Sequence, residues 1–367
     1  MRWQRFARSS AKNLGFDAVK KTVFITFLSL LFGVLIGGGV WVAKGLSALE
    51  DPAFTGEPML FTVEQGSSFQ QVGQRLEELG LVEDALWLRL HARLKGDSII
   101  LRSGTYEILA GMSVLDVIDM IAQGRTKSWP IQFIEGWTFA DVRNALDEHE
   151  NLKRELPGLT DNEVMAALER PELHPEGMFF PDTYRYEAGE SDLVVLRRAL
   201  ERLELVLAEE WTQRTDGLPY DNSYDALIMA SLVEKETGVP HERPEIAGVF
   251  VRRLQKGMRL QTDPTVIYGL GDRYTGNLTR KHLREDGEYN TYRRSGLPPT
   301  PIALAGRAAI HAALHPASGE ALYFVAKGDG SHVFSRTLAE HQKAVQHFQV
   351  QKRRGDYRSS PAPVSAP

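Results

Sequence analysis

Residues 225–268 read DALIMASLVEKETGVPHERPEIAGVFVRRLQKGMRLQTDPTVIY. The run Leu227-Ile228-Met229-Ala230-Ser231-Leu232-Val233 is almost wholly apolar, which predicts a helix buried on every side. That helix leaves the core at Glu234-Lys235-Glu236-Thr237 and is stopped by Gly238 and Pro240. Two carboxylates therefore fall at the C-terminal end of a buried helix, where the macrodipole disfavours negative charge. Burial and the dipole both raise a carboxyl pKa, as a general acid at neutral pH requires. Glu234 and Glu236 stand roughly 200° apart around a helix, so only one faces a given cleft. The plainer reading is that both are solvated helix-end residues.

C-terminal to that helix, Asp263 precedes Pro264, the pattern of an N-cap followed by Pro at N1. Capping is the expected role of Asp263. Arg259, Gln261 and Thr262 lie just before it, where a short loop would present them to a ligand. Beyond come Glu288-Tyr289-Asn290-Thr291-Tyr292 and Gly296-Leu297-Pro298-Pro299-Thr300-Pro301, rigid and irregular, then a helix around 305–314. Residues 321–326 and 332–334 flank Lys327-Gly328-Asp329-Gly330 as a hairpin. A last helix runs near 338–351, and the Pro/Ser/Ala-rich tail within 353–367 is expected to be disordered.

N-terminal to the helix, residues 152–220 read as mostly helical, with 196–211 a plain amphipathic helix. The exception is Pro175-Glu176-Gly177-Met178-Phe179-Phe180-Pro181-Asp182-Thr183-Tyr184, whose aromatics suit either sugar stacking or a core. Further back a device recurs. Phe61-Thr62-Val63 leads to Gly66 and Ser68; Tyr106-Glu107-Ile108-Leu109 leads to Gly111 and Ser113; Ile131-Gln132-Phe133-Ile134 leads to Gly136 and Thr138. Each is a strand, a glycine turn, a Ser or Thr N-cap two residues later, and an amphipathic helix. Residues 83–94 add one more amphipathic helix between the first two. Unequal spacing excludes a solenoid.

The N-terminus decides topology. Arg2, Arg5, Arg8, Lys12, Lys20 and Lys21 precede the uncharged run Thr22–Ala43, which matches the roughly 20 apolar residues that cross a bilayer. Residues 1–21 are then a cytoplasmic basic tail, 22–43 a transmembrane helix and 44–58 a Gly/Pro/Ala-rich tether, with the remainder outside. The apolar run exceeds the core of a cleavable signal peptide.

The 367 residues suffice for two or three domains. A net charge of −5 gives no reason to expect nucleic acid. With no cysteine, disulfides, thiolate metal sites and a Cys nucleophile are excluded. His311 and His315 are i, i+4 neighbours, but Ala312-Ala313-Leu314 between them lacks the Glu of H-E-x-x-H, so a surface or packing role is expected. Ser231 and Ser295 lie in no nucleophile elbow. Gly269-Leu270-Gly271 is no phosphate fingerprint, since no strand feeds it.

The segments EKETGVPHERPEIAGVFVRRLQKGMRLQTDPTVIYGLG, EYNTYRRSGLPPTPI, ALYFVAKGDGSHVFS and EGMFFPDTY together resemble the YceG/MltG family of endolytic murein transglycosylases. The resemblance covers essentially the whole chain after the apolar run. It implies a LysM-like region at 59–128, a catalytic domain at 129–352 facing the periplasm, and single-pass anchoring in the inner (cytoplasmic) membrane. The fold class expected is α+β: LysM-like βα modules, then a helix-rich catalytic domain carrying a β-hairpin. The family's catalytic acid, the second of its E-K-E-T motif, falls on Glu236, leaving Glu234 a structural part.

Such an enzyme cleaves the bond between N-acetylmuramic acid and N-acetylglucosamine in nascent glycan strands, leaves a 1,6-anhydro end and terminates elongation. One acid suffices because the nucleophile, the C6 hydroxyl, belongs to the substrate, whereas an ordinary glycosidase needs two carboxylates. Gln261, Thr262, Asp263, Tyr268, Asn290 and Tyr292 are the expected substrate contacts. No cofactor or metal is called for. The expected partners are peptidoglycan strands, the membrane and peptidoglycan synthases. A membrane-tethered, non-catalytic peptidoglycan-binding scaffold is the alternative of a different class. A soluble small-molecule lyase conflicts with the apolar run.

Overall fold

A computed structural model of the chain describes residues 4–95 and 100–351, with side chains from position 20. The side chains of Arg2, Arg5, Arg8 and Lys12, and the tail at 353–367, lie outside what it describes. The chain divides into two compact units, residues 1–127 and 128–367, each a mixture of helix and sheet.

The first unit opens with α1 (Gln4–Ser47). Within it Lys20–Ser47 is long and apolar enough to cross a membrane, by length and composition. Phe24, Phe27, Leu30, Phe32 and Val34 all point outward with no protein against them. Then follow β1 (Met59–Val63), α2 (Phe69–Glu78), α3 (Ala85–Lys95), β2 (Gly104–Ile108) and α4 (Val114–Gln123). β1 and β2 pair antiparallel with Phe61 opposite Tyr106, and both rings enter a core with Val72, Leu76, Leu88, Ile118 and Ile121. The segment read as a tether is packed over part of its length. α1 continues through Ser47, Leu49 is 1% exposed, and Ala53 donates its N–H to the Met112 carbonyl at 3.0 Å. Leu49, with Leu46, Ala53 and Phe54 packed beside it, finds this core; the surrounding Gly and Pro conceal it from any periodicity.

The second unit contains β3 (Ser128–Gln132), α5 (Phe139–Asp147), α6 (Asp161–Ala167), β4 (Thr183–Glu187), α7 (Asp192–Thr212), α8 (Ser223–Glu236), α9 (Arg243–Gln255), α10 (Asp263–Leu270), α11 (Arg280–Arg284), α12 (Arg307–Leu314), β5 (Tyr323–Ala326), β6 (His332–Ser335) and α13 (Leu338–Val345). The recurring device takes the same form three times. Gly66, Gly111 and Gly136 adopt φ of +83°, +88° and +81°, and Ser68, Ser113 and Thr138 each close a capping box on α2, α4 and α5.

One strand departs from the helical reading of 152–220. β4 pairs antiparallel with β3, Tyr184 opposite Ile131 and Tyr186 opposite Trp129. Its tyrosines turn inward while Thr183, Arg185 and Glu187 turn out, a period of two carried by only five residues.

α8 is enclosed as its composition requires: Ala226 through Val233 are all buried. α12 packs against it, and Ala309, Ala312 and Ala313 of α12 are each at most 1% exposed, small side chains of the kind that allow close helix approach. Ser231, in the middle of this apolar surface, donates to the Ile228 carbonyl at 2.7 Å and accepts the Ile302 N–H at 3.0 Å. A buried hydroxyl is tolerated when both its capacities are used.

Candidate active site

α8 ends at Glu236, and Thr237 follows in extended conformation. The core leucines fix the axis of α8, and its last turn carries Glu234 and Glu236 into different surroundings. Glu234 is 6% exposed at its side chain and faces Arg243. Its Oε1 accepts from Arg243 Nη2 at 3.2 Å, and its Oε2 accepts the Gly306 N–H at 3.1 Å. One oxygen thereby fastens the start of α9, and the other the start of α12, to the end of α8.

Glu236 keeps part of its surface open, although protein surrounds it closely. Thr262, 2% exposed, donates its hydroxyl to Glu236 Oε1. Burial pushes the Glu236 carboxyl up to about 7. The Thr262 hydroxyl pulls it back down, the Asp263 charge raises it, and the Arg253 guanidinium lowers it. The outcome is a carboxylic acid, on a residue only partly buried, that is protonated in a substantial fraction near neutral pH, the condition for delivering a proton.

A rack of threonines holds that donor. Thr262 N–H donates to Thr291 Oγ1 at 3.1 Å, Thr265 Oγ1 donates to the Thr262 carbonyl at 2.8 Å, and Thr265 and Thr291 hydroxyls lie 2.9 Å apart. Gln261 takes φ of +53°, and its N–H donates to the Thr291 carbonyl at 3.2 Å. For a residue with a Cβ this backbone costs about 1–3 kcal/mol. The bend turns Gln261 and Asp263 to solvent on either side of buried Thr262.

Asp263 does not cap α10. Thr262 occupies the N-cap position, Asp263 is the first helical residue, and its Oδ1 accepts the Tyr292 hydroxyl at 2.6 Å. The carboxylate is drawn toward Tyr292 instead of back onto the helix. Glu236, Thr262, Asp263 and Tyr292 are thus brought together, with Gln261 adjoining. Tyr268 and Asn290 are used otherwise. Tyr268 donates to Glu176 Oε2 at 3.1 Å. Asn290 is 5% exposed, and its amide nitrogen donates to the Glu285 carbonyl at 2.6 Å while its oxygen accepts the Tyr292 N–H at 3.0 Å. It shapes the loop that presents Tyr292.

Three further residues were not singled out from sequence. Arg253, 7% exposed, donates to the carbonyls of Leu322 at 2.7 Å and Leu260 at 2.7 Å, which fixes the loop before Thr262. Glu176, 4% exposed, accepts from Tyr268 and from the Phe139 N–H at 3.1 Å, and burial pushes its carboxyl up to about 7. Gly177 beside it, at φ +75°, lies where a Cβ would come within 2.3 Å of Pro301, so this segment is pressed against the 301–305 wall. Glu242 forms a buried pair with His332. An acidic residue flanked by a glycine and three buried aromatics was the available signal for Glu176; the other two depend on distant partners.

The YceG-like family matches residues 61–347. Over 333 residues the chain is 30% identical to an endolytic murein transglycosylase of Bacillus subtilis (strain 168), covering 86% of this chain and 91% of the relative. It is 26% identical over 357 residues to an endolytic murein transglycosylase of Streptococcus pneumoniae serotype 2, covering 88% of this chain and 64% of that relative. A crystal structure of a yceG-like protein from Listeria monocytogenes superposes with a TM-score of 0.51 at 28% identity, covering 78% of this chain and 98% of that one.

Proposed function

The chain belongs to the YceG-like family, and on that premise we propose that Glu236 is the general acid of a membrane-anchored enzyme that cuts peptidoglycan strands within their length. The enzyme is a lytic transglycosylase, a lyase acting on peptidoglycan, as its relatives' names and the family match support. The observation that carries the residue assignment is Glu236 at the end of α8, only partly buried as a residue, with a carboxyl that accepts from Thr262 and is raised to about 7 by burial.

In the proposed reaction Glu236 gives its proton to the glycosidic oxygen linking N-acetylmuramic acid to N-acetylglucosamine, and the bond from that oxygen to the muramic anomeric carbon breaks. The Glu236 carboxylate then takes the proton of the C6 hydroxyl of the same muramic residue, whose oxygen closes on the anomeric carbon. A 1,6-anhydro end results, no water is consumed, and Glu236 regains its proton. The nucleophile is held by its own ring, an advantage of proximity that replaces a second catalytic carboxylate. Asp263, negatively charged and held by Tyr292 at 2.6 Å, stabilises positive charge developing at the anomeric carbon. Gln261 and Tyr292 contact the sugars at the rim.

The apolar helix of 20–47 supports single-pass anchoring in the cytoplasmic membrane, with the basic N-terminus inside and the second unit in the periplasm. Anchoring raises the concentration of the acid near newly made strands and beside the synthases that make them. The strand, two helices and strand of the first unit serve as a LysM-like glycan-binding module. Incubating uncrosslinked strands with full-length wild type and with Glu236→Gln, both in detergent, tests the assignment: wild type shortens the strands and the variant leaves them intact. Equal cleavage by both would remove Glu236 from the mechanism, and retention of strands without cleavage by either would favour a scaffold.

A further inference from the structure

His311 and His315 lack a carboxylate in the sequence between them, and the fold brings one from another helix. Glu210, near the C-terminal end of α7 and 9% exposed, places its Oε2 2.8 Å from His311 Nδ1. The two imidazoles lie side by side, centroids 4.3 Å apart and planes 29° from parallel. One donor atom from each of Glu210, His311 and His315 falls within 4.8 Å of the others.

We propose that Glu210, His311 and His315 form a binding site for a divalent transition-metal ion, with Zn²⁺ as the best match, which fastens the C-terminal ends of α7 and α12 to each other. Two imidazoles and one carboxylate are a recognised ligand set for zinc, leaving a fourth position for water. Tetrahedral coordination places ligand atoms about 3.3 Å apart, a modest contraction from the observed spread. His311, with a side chain 57% exposed, has the freedom to make it.

Two observations favour an ion over a plain hydrogen-bonded cluster. The first is His315 Nε2, which is sealed from solvent and has no hydrogen-bond partner among the described residues. Its other nitrogen has only the Thr215 hydroxyl at 3.4 Å. A buried polar atom is costly to leave unpartnered, and a metal ion relieves it. The second is charge. Arg307 holds Glu210 Oε1 at 2.9 Å and Glu209 Oε2 at 2.7 Å, so this group of two carboxylates and one guanidinium retains a negative charge. Glu210 Oε2 remains available, and a divalent ion there replaces the proton shared with His311.

The site was not expected from sequence, since its carboxylate comes from 101 residues away. The test is calorimetric titration of Zn²⁺ into the full-length, untagged, chelator-stripped protein in detergent, repeated with Co²⁺ as a visible spectroscopic probe. Wild type binds one equivalent and gives a Co²⁺ spectrum of nitrogen and oxygen ligation. His315→Ala, His311→Ala and Glu210→Gln weaken binding by at least the roughly tenfold that loss of even an outer partner costs. Absence of saturable binding and of a Co²⁺ spectrum in wild type overturns the proposal, and so does wild-type affinity in both histidine variants. Exposed His311 keeps the comparison usable if a buried variant fails to fold.

Discussion

His332 Nδ1 lies 2.7 Å from Glu242 Oε2, and the two side chains are only 4% and 5% exposed. Glu242 Oε1 also accepts the His332 backbone N–H at 2.8 Å, and Glu242 Oε2 accepts from Thr237 Oγ1 at 3.4 Å. Thr237 directly follows Glu236. The β5–β6 hairpin thus reaches back through one buried carboxylate to the turn that ends α8.

Removing the Glu242 carboxylate leaves the His332 backbone N–H and ring nitrogen buried without that partner, at about 1–3 kcal/mol for each stranded group, so Glu242→Ala should destabilise the protein by several kcal/mol. Glu242→Gln, which still accepts the His332 N–H, should lose less. Urea unfolding of the full chain in detergent measures both. A change below about 1 kcal/mol, the worth of an exposed pair, would show that the hairpin does not hold this turn.

Thr262 and Asp263 act on Glu236 in opposite senses, and pH profiles should separate them. Thr262→Val removes a hydrogen bond that lowers the Glu236 pKa, so the alkaline limb of kcat/KM, expected near 7, should move to higher pH. Asp263→Asn removes a charge that raises it, so the limb should move to lower pH. Thr262→Ser should restore the wild-type limb. Shifts of the same sign in the two variants would contradict this electrostatic arrangement.

Glu176 and Glu236 both have folded pKa values raised to about 7 from a usual 4.5. The folded state therefore binds their protons more tightly than the unfolded state, and stability from this source is complete below about 4.5 and lost as pH rises through about 7. Glu176→Gln should flatten the fall in melting temperature between those pH values relative to wild type. An unchanged slope would mean that burial does not raise the Glu176 pKa in the folded protein.

Much of this was legible because some signals are local. A glycine, then Ser68, Ser113 or Thr138 two residues on, fixes a turn and a cap without reference to the rest of the chain. The run 227–233 has no polar face, so α8 had to be enclosed, and the end of that run placed Glu236 at a helix terminus. Other features rest on partners remote in sequence. Tyr184 and Tyr186 become a strand only because β3 offers its edge. Asp263-Pro264 fits capping equally well by pattern, and the outcome was decided by the Tyr292 hydroxyl, 29 residues on. Leu49 found a core that its Gly- and Pro-rich neighbours gave no sign of.

The most direct test of the proposed mechanism is the mass of the new chain ends formed when full-length protein acts on uncrosslinked strands. Internal fragments lighter by one water, ending in 1,6-anhydromuramic acid and absent with Glu236→Gln, are the predicted result. Fragments of full hydrated mass with reducing ends would mean that water attacks, contradicting the single-acid mechanism and making Asp263 the first residue to examine as its second carboxylate.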